Sequence, residues 1–424
     1  MISSLVLQLG AFTVFFAICT YVCIVADPDE SPAARFFVGT IPSLIYSGVE
    51  HLFGKRIISK IEKFLDRSLQ IAYLIVVLGS WSIVFAYGYP AIKKSRYIST
   101  NHQYAGYIVF IMCMSSWHYA CQKSPGHITN RTLPLFDHYQ YDNLLYTNRL
   151  CPTTKIRKLA RSKYDRFSKK HVPRFDHFCG WLNQAIGEQN YRWFLLFLMV
   201  HVFMCFYGSW ALGRVLYGEV LEKNLLNATF FNAVTGAEVK ADYFIIFHYL
   251  FMKYFQICGV FILMSVMSVV LGVFLMFHLY ITSRNMTTNE FFKWQSFRRL
   301  HRKEKYKFEK AQAEGKISSD NGIGSKVESV SKQLSDVDIG CTGPMVAGPV
   351  QEGIQEDETI DPGLLPGNIY DNGIILNFYE IIFPLSYRGE AIERFNLSLN
   401  GGYGESNDEQ NDHVHDHRPK PKSI

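Results

Sequence analysis

A set of long, almost uncharged apolar runs limits what this chain can fold into more than any other feature. A helix needs about 20 residues to cross a hydrocarbon core roughly 30 Å thick, and runs of that length belong in such a core. Five segments have this character: residues 5–26, 71–91, 104–119, 193–215 and 257–280, the last inside the longer run 244–281. The segment 104–119 is the shortest. No basic residue precedes the first run and no small-residue cleavage site follows it, so it reads as a retained helix, not a removed signal. The expected fold class is therefore an all-α multispan membrane protein with about five transmembrane helices. Should 104–119 not cross, the count is four and the N-terminus changes sides.

Lys and Arg set the orientation. They crowd the segment between the third and fourth runs (Lys155, Arg157, Lys158, Arg161, Lys163, Arg166, Lys169, Lys170, Arg174) and return after the fifth (Arg298, Arg299, Arg302, Lys303, Lys305). Both stretches are assigned to the cytosol. These loops account for the net charge of +6, so no nucleic-acid partner is called for. The nine cysteines show no paired spacing, and a disulfide framework is not expected on the reducing side of a membrane. No intramembrane charged pair or broken-helix repeat suggests a transporter.

The chain divides accordingly. Residues 1–121 hold three spans, 122–192 a loop too long for idle connection, and 193–281 two spans with a lumenal loop. Residues 282–314 read as a short polar segment and a basic amphipathic helix near an anionic leaflet. Residues 315–362 are too polar to bury a core. Apolar residues return in a docking segment, 363–390, and 391–424 reads as a disordered tail.

Within the loop, "HVPRFDHFCGW" (171–181) sets Asp176, His177 and Cys179 within four positions. A thiol attacks only as thiolate, so its proton must pass to a nearby base or be displaced by positive charge. His177 is close enough to serve, and Asp176 is placed to orient the imidazole. Arg174 and nearby lysines favour the thiolate. On spacing alone, chance proximity in a polar loop explains the cluster equally well.

Three ordered motifs resemble the DHHC protein S-palmitoyltransferases. "YDNLLYTNRLCPTT" leads into "KLARSKYDRFSKKHVPRFDHFCGWLNQAIGEQNYRWF", where "DHFC" stands in place of Asp-His-His-Cys. "MTTNE" matches the family's Thr-Thr-x-Glu through Thr287, Thr288 and Glu290, and "NIYDNG" its Asn-x-Tyr-x-x-Gly segment through Asn368. The resemblance is strongest to the endoplasmic-reticulum branch. It implies a cytosolic catalytic loop between the third and fourth spans of an endoplasmic-reticulum membrane protein. It also implies a two-step reaction. Cys179 would take an acyl group from palmitoyl-coenzyme A, with His177 as base and Asp176 as orienter, and pass it to a cytosolic cysteine of a membrane-proximal protein. Thr287, Thr288, Glu290 and Asn368 would brace the loop, and Arg161 and Lys163 would meet coenzyme A phosphates.

The family's two structural zincs are another matter. Thr154, Tyr164, Asp165, Ser168, Phe178 and Ala185 stand where it has ligands, which leaves Cys151 and His171 at most. A structural zinc needs four N or S donors, so none is expected. The alternative function is a catalytically inactive relative that keeps the fold and works as a membrane scaffold.

Overall fold

A computed structural model describes residues 67–231, 236–314 and 366–400, with isolated positions at 36, 40 and 44. The expected span 5–26 and linker 315–362 lie outside the described residues. Helix α1 is Arg67–Lys94, α2 Asn101–Gln122 and α3 the short turn Leu133–Phe136. Six two- or three-residue strands follow: β1 Arg149–Leu150, β2 Arg157–Lys158, β3 Lys163–Asp165, β4 Lys170–Val172, β5 His177–Cys179 and β6 Gln184–Ile186. Then come α4 Tyr191–Glu222, the hairpin β7 Thr229–Phe231 with β8 Glu238–Lys240, and α5 Tyr243–Lys253. The chain continues with α6 Phe255–Ser283, α7 Thr288–Ala313, α8 Ile374–Ile382 and α9 Gly389–Asn400.

Three of these helices, α1, α4 and α6, are long and apolar enough to cross a membrane. The expected third span falls on α2, a helix of 22 residues that packs along α4. Its Asn101, His102, Gln103, Ser115, Ser116, His118 and Gln122 keep it below the apolar content of the other three. In α1 the backbone widens into a π-turn at Val84–Gly88. Pro90 follows directly, and it can neither donate an N–H nor tolerate the carbonyl four residues earlier. The principal core lies between α4 and α6, with α1 and α2 packed against α4.

The loop domain is three antiparallel hairpins, β1–β2, β3–β4 and β5–β6. Lys155, Lys169 and Asn183 each take positive φ just before the returning strand, which closes the tight turns. Two buried arginines, Arg161 and Arg174, also adopt this left-handed conformation, at φ 61° and 44°. That backbone is costly for a non-glycine residue and persists only where the surroundings hold it. Gly187 is required for a different reason: a Cβ there would sit 2.8 Å from the Pro173 carbonyl oxygen, which accepts the Glu188 N–H.

One boundary differs from expectation. The segment expected to be a disordered tail from residue 391 begins inside α9, which runs to Asn400 and packs on α3. Ala391 is buried and Arg394 donates to the Pro134 carbonyl, so a weakly apolar face at helical spacing is enough once α3 supplies a surface. Helix α8 is amphipathic with its polar face inward. Asn377 and Glu380 are buried while Ile374, Ile375, Ile382 and Phe383 stand exposed, as suits a helix lying at the bilayer surface.

Candidate active site

Strand β5 begins with His177 and ends with Cys179. Alternate residues of a strand share a face, so the i, i+2 spacing puts imidazole and thiol side by side. The thiol is near enough to the imidazole to favour its protonated form. Cys179 is buried and belongs to the same apolar cluster as Leu182, Ile186, Phe194 and Leu198. The thiol therefore sits where the loop domain meets the top of the helical core.

Asp176 is buried at the foot of the strand, with Oδ2 2.5 Å from His177 Nδ1. Its other contacts come from the far side of the sequence. The Thr288 N–H donates to Oδ1 at 2.7 Å, and the Thr288 hydroxyl donates to Oδ2 at 2.9 Å. Thr288 is the first residue of α7, whose N-terminal amides and dipole favour an anion. Burial alone would raise the Asp176 carboxyl, but the His177 hydrogen bond and charge and the Thr288 amide hold it below the usual carboxylate range. Burial likewise opposes an imidazolium. The hydrogen bond to Asp176 and the nearby Cys179 thiol outweigh it and push His177 up to about 10.

Thr287 caps the same helix. Its hydroxyl accepts the Glu290 N–H and its N–H donates to Glu290 Oε2 at 2.9 Å, a reciprocal capping box. Glu290 then reaches into the loop domain. Arg161 Nε and a second guanidinium nitrogen each donate to it at 2.7 Å, and the Tyr146 hydroxyl adds a third bond. Thus Thr288 touches Asp176 directly, while Glu290 acts on the loop through Arg161 and Tyr146. Asn368 is elsewhere: its side-chain amide donates to the Arg284 carbonyl at the end of α6, at 2.7 Å.

One expected role is overturned. Arg161 is 1% exposed, and besides Glu290 it bonds the Asn285 side chain and carbonyl. Its guanidinium lies between the rings of Tyr139 and Tyr370, 4.8 and 4.5 Å from their centroids. A cation so enclosed cannot meet a coenzyme A phosphate. Counting positive charge along the loop could not distinguish it from its exposed neighbours.

Other members of the assembly carried no signal in one sequence. Asn285 bridges Arg161, Arg174, Tyr370 and Glu380. Glu380 accepts from the Tyr139 hydroxyl at 2.6 Å, and Glu188 pairs with His138 and accepts the Ser386 N–H. The C-terminal segment is thereby clamped onto the loop domain. His278 of α6 is fully buried, bonded through Nδ1 to the Tyr191 hydroxyl, and its ring lies 5.8 Å from that of His177. In the sequence it is one polar residue inside an apolar run.

The residues matched by spacing to the family's zinc ligands are engaged with neighbouring rings and backbone. Tyr164 pairs with His171 across β3–β4, their rings 5.7 Å apart and nearly perpendicular. Phe178 lies opposite Ala185 and stacks on Phe167 at 4.4 Å. Asp165 spends a carboxylate oxygen on the Ser168 N–H. Cys151 is buried, and hydrogen bonds from Thr153 and Thr154 overcome the effect of burial and lower its thiol. Among the described residues, the one grouping of three or more metal-capable side chains is Asp176, His177 and His278, which coincides with the carboxylate–imidazole pair.

Part of the chain is similar to known proteins. Residues 145–295 match the family described as DHHC palmitoyltransferase. Palmitoyltransferase SWF1 of Yarrowia lipolytica is 37% identical over 118 residues, 27% of this chain and 31% of that protein. Palmitoyltransferase ZDHHC4 of Mus musculus is 33% identical over 175 residues, 41% and 51% of the two chains. Palmitoyltransferase swf1 of Schizosaccharomyces pombe is 25% identical over 270 residues, 63% of each. The alignments thus span from about a third to under two thirds of these relatives. Over residues 145–295, from just before β1 to the second turn of α7, this chain carries a DHHC palmitoyltransferase domain.

Proposed function

We propose that the chain is a protein S-acyltransferase that moves a palmitoyl group from palmitoyl-coenzyme A to cysteines of membrane-proximal proteins. The observation that carries this reading is the Thr288–Asp176–His177–Cys179 chain of contacts at the top of the apolar helical core. The thiol proton passes to His177 and the Cys179 sulfur attacks the thioester carbonyl. Coenzyme A leaves as its thiol, taking up that proton, and the acyl group stays on Cys179. In the second half His177 accepts the proton of the substrate cysteine, whose sulfur takes the acyl chain, and Cys179 is regenerated. Asp176 holds the imidazole and balances its charge throughout. The acyl chain lies among the apolar residues next to Cys179, where each buried methylene contributes about 0.8 kcal/mol.

The site works without structural zinc in this reading. Ring packing and the buried Arg161–Glu290 contact hold the hairpins in place of metal. The loop faces the cytosol, and the similarity to SWF1- and ZDHHC4-type relatives favours the endoplasmic reticulum. An inactive scaffold would leave a buried, fully bonded carboxylate–imidazole pair without a use.

The test is incubation of the purified chain with labelled palmitoyl-coenzyme A. Hydroxylamine-sensitive label is expected on the wild type and absent from Cys179→Ala. An unlabelled wild type would refute transferase activity. Elemental analysis is expected to find less than one equivalent of tightly bound zinc, and a full equivalent would refute the zinc-free reading.

A further inference from the structure

A cleft of about 430 Å³ opens on the side of the molecule where α6 ends, and three arginines line it. Arg284 is the first residue beyond α6 and is well exposed. Arg298 and Arg302 lie four residues apart on α7, so they project from one face. Two like charges at that spacing destabilise a helix slightly unless an anion sits between or beside them. Neither has a carboxylate partner among the described residues. The one carboxylate lining the cleft is Asp371, 3.5 Å from Arg284 and also engaged by the Asn377 side chain. Three guanidinium groups against one carboxylate leave a surplus of two positive charges.

That surplus matches a phosphate monoester, which carries roughly −1.5 to −2 at neutral pH. Guanidinium groups suit it because they bind phosphate oxygens in bidentate fashion. The cleft's position selects the source of the phosphate. Tyr280, an exposed aromatic at the end of a span, forms part of the wall. Ile374 and Ile375, exposed on α8, follow closely after Asp371. Both mark the depth of lipid headgroups. We propose that this cleft binds the phosphomonoester headgroup of an anionic phospholipid on the same side of the bilayer as Cys179. A headgroup there would pin α7, whose first residue holds Asp176, and Arg284, whose carbonyl is held by Asn368. The site does not depend on acyl transfer, so failure of that activity leaves it standing.

The test uses the full chain in neutral detergent micelles, titrated with dioctanoyl phosphatidic acid and followed by native mass spectrometry. Phosphatidic acid is expected to bind and dioctanoyl phosphatidylcholine not to. The double variant Arg298→Gln/Arg302→Gln is expected to bind phosphatidic acid at least roughly tenfold more weakly. Asp371→Asn removes the opposing charge and is expected to bind more tightly. Inorganic phosphate and coenzyme A are expected to displace the lipid only in large excess. Unchanged affinity in the double variant, or unchanged or weaker binding by Asp371→Asn, would overturn the proposal. So would displacement by equimolar phosphate or coenzyme A, which would assign the cleft to a soluble ligand.

Discussion

The loop domain holds its shape by two opposite means. On the side facing α7 and the C-terminal segment it buries charge: Arg161 makes four hydrogen bonds to Glu290 and Asn285, and Arg174 is held by one bond to Asn285 and an ion pair with Glu380 at 3.6 Å. Along β3, β4 and β5 it packs rings, Tyr164 on His171 and Phe178 on Phe167. The first device is sensitive because a buried ion that loses its partner keeps its full desolvation cost. The second is tolerant because each contact is small and partly solvated: Phe167 is 65% exposed. Strand β5, which carries His177 and Cys179, lies between them and is held from the charged side, through Thr288.

Breaking the charged side should have the largest effect. Arg161→Met leaves Glu290 buried without its partner and is expected to destabilise the fold by about 3–5 kcal/mol. Thermal unfolding in nanodiscs would measure this. The double variant Arg161→Met/Glu290→Leu should recover much of the loss, since it leaves no lone charge. No recovery would mean that Arg161 acts mainly through the Tyr139 and Tyr370 rings.

Thr288→Val is milder. It removes the hydroxyl bond to Asp176 and keeps the amide bond. Losing a charge-assisted bond of about 1.5–3 kcal/mol should slow self-acylation of Cys179 roughly tenfold or more. The concentration of acyl-coenzyme A giving half-maximal rate should be unchanged. A shift in that concentration instead would place Thr288 in donor binding.

The Asp176–His177 pair predicts a dependence on pH. His177 is raised to about 10 in the folded chain, above the ordinary imidazole value near 6.5. A raised folded value stabilises fully below the unfolded value and loses that contribution as pH climbs through the folded one. Wild-type stability should therefore decline between about pH 6.5 and 10, and Asp176→Asn should show a flatter profile over that window. Equal slopes would show that the pair is not linked to folding.

The smallest effect belongs to the ring side. Phe178→Ala should cost about 1 kcal/mol by losing its stack on Phe167. Added zinc should not rescue Phe178→His, because Asp165, Ser168 and Ala185 supply no matching donor set. Rescue by zinc would make the ring side a disguised metal site.

Much of the architecture could be read along the chain because membrane insertion depends on composition over a window. The runs at 71–91, 193–215 and 257–280 became α1, α4 and α6, with ends extended by residues that tolerate the interface. The His177–Cys179 spacing was also readable, since a strand places i and i+2 on one face without help from elsewhere. Helix α9 was not, because its inward face consists of Ala391, Arg394, Phe395 and Ser398, which make sense only against α3.

By itself the sequence marked three of the long apolar helices, at 71–91, 193–215 and 257–280, and the side chains that carry the proposed chemistry. These depend on local properties: apolar length, residue identity and short spacing. Tertiary structure alone decided that Arg161 is a strut instead of a phosphate ligand. It alone set Asp176 against the first amide of α7, 112 positions away, and gathered three arginines around one cleft. Each of these depends on which partner a charge meets, and a charged side chain in one sequence carries no record of its distance to a partner brought close by folding.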